Sequence, residues 1–351
     1  MLATCQAGYE DSLAGEMAAN GWLPSGRGPG WVDCVGGPGG GPPELAFAPL
    51  ILTEPVLLQA DAVNALAQKA VDYFAGSLRD ERIGNAWPNL WSGSPGVGGL
   101  PRRVAATRQA FDELLRRKLS RVARLAAPGV PPGVGPERGL FVVFTDFDRA
   151  WVSRTAILGG QRRMADDPSA PSRSFLKVEE AYGVLGAEPG ADEAVIDLGA
   201  APGGWSYSAA RRGANVLAVD NGPLKAGALG NPRIEHRRED AFGFRPPQGR
   251  TFDWMFCDVV EEPHHVLRNL VTPWLEGGWC RRFVVNLKFG RTGPVALLQE
   301  LRAAGSPFVR HAASFRIRHL YHDREEFTVV GVAASALQDA REDRPCGSHG
   351  E

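Results

Sequence analysis

The C-terminal half of the chain alternates short apolar runs with segments that can form helices. Four runs have the length and composition of buried strands, at residues 195–198, 215–220, 254–259 and 282–288. Strands that alternate with helices form parallel sheets with helices packed on their faces. The pattern therefore predicts an α/β domain.

The N-terminal half has a less regular pattern, in which apolar segments are separated by runs rich in glycine and proline. Residues 26–43 and 128–138 have this composition and are predicted to be loops. Residues 139–157 are rich in β-branched and aromatic side chains and are strand-like. The second loop separates this strand from residues 101–125, most of which have a helical pattern.

A third polar break, at residues 159–172, lies where the two patterns meet and is predicted to be a linker. Before it we expect a segment at residues 1–50 and a domain at residues 51–158. After it, residues 173–335 form the α/β domain, and the charged, polar residues 336–351 are predicted to be disordered. A chain of 351 residues exceeds what one core usually supports.

The composition is that of a globular protein in a reducing compartment. Hydrophobic residues make up 44% of the chain and charged residues 23%, as in soluble globular proteins generally. No apolar run has the length of a membrane span, so we expect no membrane partner. The five cysteines are scattered without a CxxC pair, which argues against a metal site or disulfides and favours the cytoplasm.

The net charge of −1 hides one strongly basic segment, residues 101–125. Its acidic residues are Asp112 and Glu113. Its basic residues are Arg102, Arg103, Arg108, Arg116, Arg117, Lys118, Arg121 and Arg124. A helix with this charge either contacts phosphates or forms a solvated face, and its residues alone leave both readings open.

A glycine-rich loop follows the apolar run that ends at Leu198. Residues 197–205, DLGAAPGGW, have the pattern of a strand end, a tight loop and a helix start. In an open α/β sheet, ligands bind beyond the carboxyl ends of the strands. The loop is therefore predicted to bind a ligand. Its candidate contacts are Asp197, Gly199, Ala201, Pro202, Gly203, Gly204 and Trp205.

Acidic residues after neighbouring strands indicate the class of that ligand. Asp220 ends the next strand, where a carboxylate can accept both hydroxyls of a ribose. The dinucleotide pattern GxGxxG is absent, Pro202 lacks a main-chain donor, and Asp197 would repel a pyrophosphate. These features favour S-adenosylmethionine over NAD. Asp240, after a further short strand, either accepts from the adenine amine or caps a helix.

Two lysines and two acids are predicted at strand or helix ends on the side of the glycine loop: Lys177, Asp258, Lys288 and Glu326. A lone lysine there is usually a surface residue, but together the four have a mechanistic use. A ribose 2′-hydroxyl reacts only after it loses its proton, and a second ammonium and partial burial help a lysine to accept one. We expect Lys288 to be the general base and Lys177 its electrostatic partner, with Asp258 and Glu326 positioning the amines.

This set of residues around DLGAAPGGW resembles the Lys-Asp-Lys-Glu tetrad of the FtsJ-like RNA 2′-O-methyltransferases. Longer strings in the same order narrow the resemblance to members that methylate a cytidine of bacterial 23S ribosomal RNA. They include APSRSFLKVEEAY, VDNGPL, REDAFGFRP and YHDREEFTV, and the likeness covers about residues 170–332. Glu325 adjoins Glu326, and we favour Glu326 in the tetrad because it directly precedes the apolar strand.

The resemblance implies a Rossmann-like S-adenosylmethionine-dependent methyltransferase domain. Its partner would be 23S ribosomal RNA or a precursor of the large ribosomal subunit, and a monomer is the default. The cofactor contacts that it implies are Ser174, residues 201–204, Asp220, Asp240 and Asp258, with Lys288 as the proton acceptor.

A second resemblance concerns the N-terminal half. CQAGYEDSLAGEM resembles the opening of methyltransferases that carry a THUMP domain, which is an RNA-binding module. It implies an α+β architecture there, with a THUMP-like region over about residues 51–158. This favours RNA contact by the basic helix.

Three other functions are compatible with parts of the pattern. A base methyltransferase would be expected to have [DN]-P-P-[FYW] where this chain has CDVV at residues 257–260, and Cys257 is expected to be a buried structural thiol rather than a nucleophile. A non-catalytic RNA-binding assembly factor has no need of paired lysines, although the fold alone does not exclude it. An NAD-dependent oxidoreductase is disfavoured by the glycine spacing.

The sequence around several remaining polar and aromatic residues predicts structural or surface positions for them. Trp274 and Trp279 are expected to pack a helix, and His264 and His265, without metal-ligand companions, to lie at the surface. Tyr321 and His322 are either surface residues or RNA contacts.

Overall fold

The structure is a computed structural model that describes residues 1–38, 41–79, 81–129 and 131–336. Internal contacts divide the chain into two units, Met1–Gly160 and Gln161–Glu351. The tail that was predicted to be disordered lies outside the described residues except for residue 336. Within the described ranges, no helix has the length and apolar character needed to span a membrane.

The N-terminal unit is built on one mixed sheet, with nine strands among the described residues. They are β1 (Leu2–Thr4), β2 (Leu23–Gly28), β3 (Trp31–Val35), β4 (Leu50–Leu52), β5 (Val56–Gln59), β6 (Trp87–Gly93), β7 (Ala126–Pro128), β8 (Gly135–Phe144) and β9 (Arg149–Leu158). Their spatial order is β2-β3-β1-β4-β9-β8-β6-β7, and β5 also pairs with β9. Strands from both sides of residue 50 share this sheet, and a domain boundary at that residue stays a prediction.

The basic segment of the N-terminal unit is helical, as predicted. The helices of this unit are α1 (Glu10–Ala19), α2 (Val63–Gly76), α3 (Leu100–Lys118) and α4 (Ser120–Ala123). Along α3, Val104, Phe111 and Leu115 are buried at helical spacing. Phe111 packs against Trp91 of β6, with ring centroids 5.2 Å apart. The apolar face therefore holds α3 on the sheet and leaves most of its arginines exposed.

The prediction that residues 26–43 form a loop is wrong for the first part of that range. β2 and β3 pair there as an antiparallel hairpin, and its turn contains Pro29 and Gly30, with φ of 74° at Gly30. Val32 and Cys34 are buried on one face of β3, so the strand alternation is present among the glycines and prolines. The predicted loop at residues 128–138 is likewise shorter, because β8 begins at Gly135.

The C-terminal unit is the predicted α/β domain, with helices α5 (Phe175–Leu185), α6 (Gly204–Ala210), α7 (Pro263–Val266), α8 (Thr272–Glu276), α9 (Pro294–Arg302) and α10 (Pro307–His311). Its strands are β10 (Ala194–Leu198), β11 (Asn215–Val219), β12 (Ile234–Arg237), β13 (Phe252–Cys257), β14 (Cys280–Lys288), β15 (Ala312–Arg318) and β16 (Glu326–Ala333). The sheet order is β12-β11-β10-β13-β14-β16-β15.

The direction of β16 determines which residues meet at the edge of this sheet. The strands from β12 to β14 are parallel, as predicted, whereas β16 runs antiparallel to β14 and β15 antiparallel to β16. The first residue of β16 therefore lies at the edge where the parallel strands end. In the register of this pair, Glu326 is directly opposite Lys288.

A glycine in β16 fixes the packing between β16 and β14. Gly331 is the register partner of Phe283, whose side chain is buried. A Cβ atom at position 331 would overlap the Phe283 ring and come within 2.5 Å of the Ser314 carbonyl oxygen. Only a residue without a side chain fits between these strands.

We therefore expect Gly331→Ala to lower the free energy of unfolding by about 1–3 kcal/mol through overpacking. The measurement is urea-induced unfolding followed by intrinsic tryptophan fluorescence. Gly305→Ala is the matched control, because nothing lies within 4 Å of a Cβ atom there. Equal losses in the two variants would contradict this account of Gly331.

Candidate functional site

The four residues of the predicted tetrad meet at the edge of the C-terminal sheet. Lys177 lies in the first turn of α5, Asp258 follows β13, Lys288 ends β14 and Glu326 begins β16. Both lysine Nζ atoms lie 3.6 Å from the same atom, Oδ1 of Asp258. Glu326 bridges the amines, with Oε1 at 2.6 Å from Lys177 Nζ and Oε2 accepting from Lys288 Nζ. Glu325 is exposed, so Glu326 is the glutamate that joins the cluster.

Burial and charge act differently on the members of the cluster. Burial alone would lower the pKa of Lys177, but the carboxylates of Asp258 and Glu326 outweigh burial and raise it. Burial raises the pKa of Asp258 against the attraction of both lysines, whereas the lysines overcome burial at Glu326 and lower its pKa. Lys177 and Glu326 are thus held as a charged pair. Lys288 has the most exposed side chain of the four, at 24%.

A second layer of polar residues behind Lys288 was missed in the sequence. Asn286 is fully buried and donates from Nδ2 to Asp323 Oδ1 at 3.3 Å and to Thr328 Oγ1 at 3.2 Å. Its carbonyl oxygen is thereby left to accept from Lys288 Nζ, also at 3.3 Å. Asn286 precedes Lys288 by two residues on the same strand face, and that spacing was a usable signal. Asp323 lies in a loop, where no periodic pattern marks it.

The glycine loop is shaped partly by its protein neighbours. Gly199 and Gly203 have φ of 79° and 104°, a region that favours glycine. A Cβ atom at position 199 would lie 2.7 Å from Val259, and one at position 203 would lie 2.6 Å from Ala228. These two glycines are therefore required by the turn and its packing.

Asp220 and Ser174 both lie against the glycine loop. Asp220 accepts from the main-chain N–H of Ala201 at 3.0 Å and of Gly222 at 2.6 Å, and its side chain is only half-buried. The side chain of Ser174 lies beside Gly204, because a Cβ atom there would be 3.0 Å from its Oγ. The Trp205 indole is buried and donates to the Ser174 carbonyl at 2.9 Å, so it packs in the core beside the loop.

Asp197 and Asp240 differ in burial. Asp197 is 1% exposed and accepts from Ser206 Oγ at 2.6 Å. Asp240 follows β12, is exposed, and accepts from the main-chain N–H of Phe242 at 3.1 Å. Residues 241–243 form a turn and not a helix, so the helix-capping interpretation of Asp240 is wrong. The bond closes this turn, and the side chain of Asp240 stays exposed.

The residues at this edge fit S-adenosylmethionine. Asp258 Oδ1 is buried and has no hydrogen-bond partner among the described residues. It adjoins the glycine loop, since Val259 packs on Gly199. Carboxylates after β11 and β13 suit a ligand that carries hydroxyls, an amine and a positively charged sulfur.

Other predictions about single residues are also confirmed. Cys257 is fully buried and burial raises its pKa to about 12, as expected for a structural thiol. Trp274 is buried and packs edge-on to Trp279 at 5.6 Å. His264 is partly exposed and bonded to Glu262 and Glu300.

Residues 170–331 match the model of the FtsJ-like methyltransferase family. The chain is 34% identical to ribosomal RNA large subunit methyltransferase M of Alkalilimnicola ehrlichii over 370 residues, which cover 95% of each protein. It is 35% identical to the protein of the same name from Halorhodospira halophila, over 93% of this chain and 94% of the relative. Among solved structures, a putative methyltransferase complexed with SAH aligns over 93% of this chain and 96% of its own, with a TM-score of 0.37 and 12% identity.

The buried carboxyl of Asp197 leads to a prediction about pH. Burial raises its pKa from 3.8 to about 7, so the folded state holds this proton more tightly than the unfolded chain. Its contribution to stability is full below about pH 4 and is lost as the pH rises to about 7, by at most about 1.4 kcal/mol per pH unit. Asp197→Asn stays neutral, and its unfolding free energy should therefore fall less between pH 5 and 7 than that of the wild type.

Urea unfolding at several pH values across this range measures the difference. Asp61→Asn, which changes an exposed aspartate, is the control and should keep the wild-type slope. If the Asp197 variant also kept that slope, the carboxyl would not hold its proton in the folded protein.

Proposed function

Because the chain belongs to the ribosomal RNA large subunit methyltransferase M family, we propose that it methylates a ribose 2′-oxygen in 23S ribosomal RNA, and that the ribose is that of a cytidine. The family has an FtsJ-like methyltransferase domain and uses S-adenosylmethionine. One observation carries the proposal, namely the two amines at 3.6 Å from a single oxygen of Asp258. We further propose a cytoplasmic monomer that acts on 23S ribosomal RNA or on a precursor of the large subunit.

The cofactor would be held at the glycine loop. Asp220 would accept from its ribose hydroxyls and Asp240 from its adenine amine, with the main chain of residues 199–205 and Ser174 beside it. Asp258 Oδ1, which forms ion pairs with both lysines but has no hydrogen-bond partner among the described residues, would accept from the donor's amino group. When bound, S-adenosylmethionine supplies a methyl group on a positively charged sulfur.

Proton transfer would be carried out by Lys288. Its side chain is the most exposed in the cluster. In its neutral form the amine accepts the proton of the 2′-hydroxyl, and the oxygen that loses this proton is the nucleophile for the methyl group. The raised pKa of Lys177 keeps that residue charged, so it stays a cation beside the developing alkoxide. Glu326 and Asn286 hold Lys288 Nζ in place.

Two rival functions use the same fold. Methylation of cytosine C5 needs a cysteine thiolate, and the buried Cys257 with its raised pKa does not supply one. A non-catalytic RNA-binding role leaves the paired lysines without a use. A bare binding module would gain nothing from burying four charged groups, because each costs desolvation free energy.

The N-terminal unit would supply RNA affinity as a THUMP-like region. Arg116 and Arg117 at the end of α3 are exposed and have no ion-pair partner among the described residues. Arg103, by contrast, donates to the main-chain oxygens of Phe147 and Asp61 and has a structural role. The exposed arginines are therefore the ones expected to contact phosphates.

The central experiment is transfer of labelled methyl groups to 23S ribosomal RNA that lacks the modification, followed by nucleoside analysis. The wild type should place the methyl group on the sugar. Lys288→Ala should lower kcat at least about 100-fold, the lower end of what a general base contributes. Lys69→Ala is the control, since Lys69 lies on α2 and donates to Gln59 O in the other unit.

The outcomes distinguish the three functions. A methyl group on the base would support the base methyltransferase. Undiminished transfer by the Lys288 variant would remove that residue as the base. RNA binding by the wild type without any transfer would favour the assembly factor.

The arginines of α3 give a separate prediction. Arg116→Glu should weaken RNA binding and reduce the slope of log affinity against log salt concentration, by about 0.7 for each single-stranded phosphate contact that is lost. Arg149→Glu, an exposed charge reversal on β9, is the control. Fluorescence anisotropy with a labelled RNA fragment at several salt concentrations measures both. Salt-independent affinity in the wild type would contradict phosphate contact by this unit.

A further inference from the structure

A buried carboxylate outside the tetrad ties two segments of the C-terminal unit together. Glu180 is fully buried and accepts three main-chain N–H bonds. Its Oε1 accepts from Arg162 and from Tyr321, each at 3.0 Å, and its Oε2 accepts from His322 at 3.2 Å. One side chain thus fixes the residues that follow the unit boundary to the loop that precedes β16.

A further bond joins the same two segments. The main-chain N–H of Met164 donates to His322 Nε2 at 2.9 Å. With the three bonds to Glu180, the main chain of each segment is held at two residues. The two segments are therefore held as one surface.

The side chains on this surface combine positive charge with an aromatic ring. Arg162, Arg163 and Arg173 are exposed, and Tyr321 is half-buried. The Arg163 guanidinium lies over the Tyr321 ring, 6.0 Å from its centroid. Proteins bind single-stranded nucleic acid with such groups, because cations contact the phosphates and aromatic rings stack on the bases.

The position of this surface relates it to the tetrad. Glu180 follows Lys177 by three residues on α5, so one helix face carries both. Tyr321 precedes Glu326 by five residues, and the loop between them contains Asp323, which bonds Asn286. Helix α5 and this loop therefore link the surface to the residues that surround Lys288 Nζ.

We propose that the Arg163–Tyr321 surface, formed by residues 162–164 and 321–322 with Arg173, binds the RNA nucleotides next to the modified ribose. Tyr321 stacks on an unpaired base, and the arginines contact the adjoining phosphates. This inference rests on the proposed function and identifies the substrate at this point as single-stranded RNA, since the ring can stack only on an unpaired base.

The test is steady-state methyl transfer by the full chain on 23S ribosomal RNA that lacks the modification. Tyr321→Leu should raise the KM for RNA about tenfold or more, in line with the loss of one stacked base, and change kcat much less. Tyr321→Phe, which keeps the ring, should recover most of this loss. Arg163→Ala should raise the same KM and reduce the salt slope of RNA binding by about 0.7.

Arg250→Ala is the matched control. Arg250 also lies over an aromatic ring, that of Phe252, at 4.7 Å, but it precedes the amino end of β13, at the edge of the sheet opposite the tetrad. Its loss should leave the KM for RNA within about twofold of the wild type. The KM for S-adenosylmethionine should stay constant in all four variants, which separates loss of RNA contact from misfolding.

The failure of this inference is distinct from the failure of the proposed function. If the wild type methylates the ribose but Tyr321→Leu and Arg163→Ala keep the wild-type KM and salt slope, the surface is not an RNA contact and the activity stands. If the wild type transfers no methyl group, the proposed function fails. The salt slope of RNA binding in Arg163→Ala then still decides the inference, because an unchanged slope overturns it.

Discussion

One carboxylate oxygen that lies close to two lysine amines is the interaction on which this site depends. Asp258 Oδ1 is buried and lies equally far from Lys177 Nζ and Lys288 Nζ, and Glu326 closes the cluster from the other side. Lys177 and Glu326 form a charged pair within this cluster, so these two buried charges offset each other. Removing one partner from such a group typically costs about 3–5 kcal/mol, because the remaining charge stays buried. Because Asp258 and Glu326 each contact both lysines, they hold the two amines close to one another.

The topology of the sheet brings the residues of this cluster together. Asp258 follows the carboxyl end of β13 and Lys288 ends the parallel strand β14, whereas Glu326 comes from the amino end of β16. An antiparallel β16 is required to bring that end to the same edge. Gly331, within β16, lets the Phe283 ring lie across the strand pair and fixes its packing. Packing in the core of the sheet thus helps to position Lys288 and Glu326 at its edge.

Sequence patterns predicted the elements of the C-terminal unit and the tetrad, because apolar runs mark strands and polar residues at their ends share an edge. They failed for the hairpin at β2 and β3, where the density of glycine and proline concealed the alternation of Val32 and Cys34. They also missed Asn286, Asp323 and Glu180. Asn286 could have been found from its two-residue spacing to Lys288 on one strand face. Asp323 and Glu180 bond to segments distant in sequence, and no local period records those contacts.

Helix α5 has a consequence for how such an enzyme can change its substrate. Lys177 and Glu180 lie one turn apart on it, the first in the tetrad and the second beneath the Arg163–Tyr321 surface. A rigid helix moves as a unit, so a mutation that reshapes the surface through Glu180 also shifts the amine. Evolution of a new RNA preference would then proceed more readily through the exposed side chains than through the buried support.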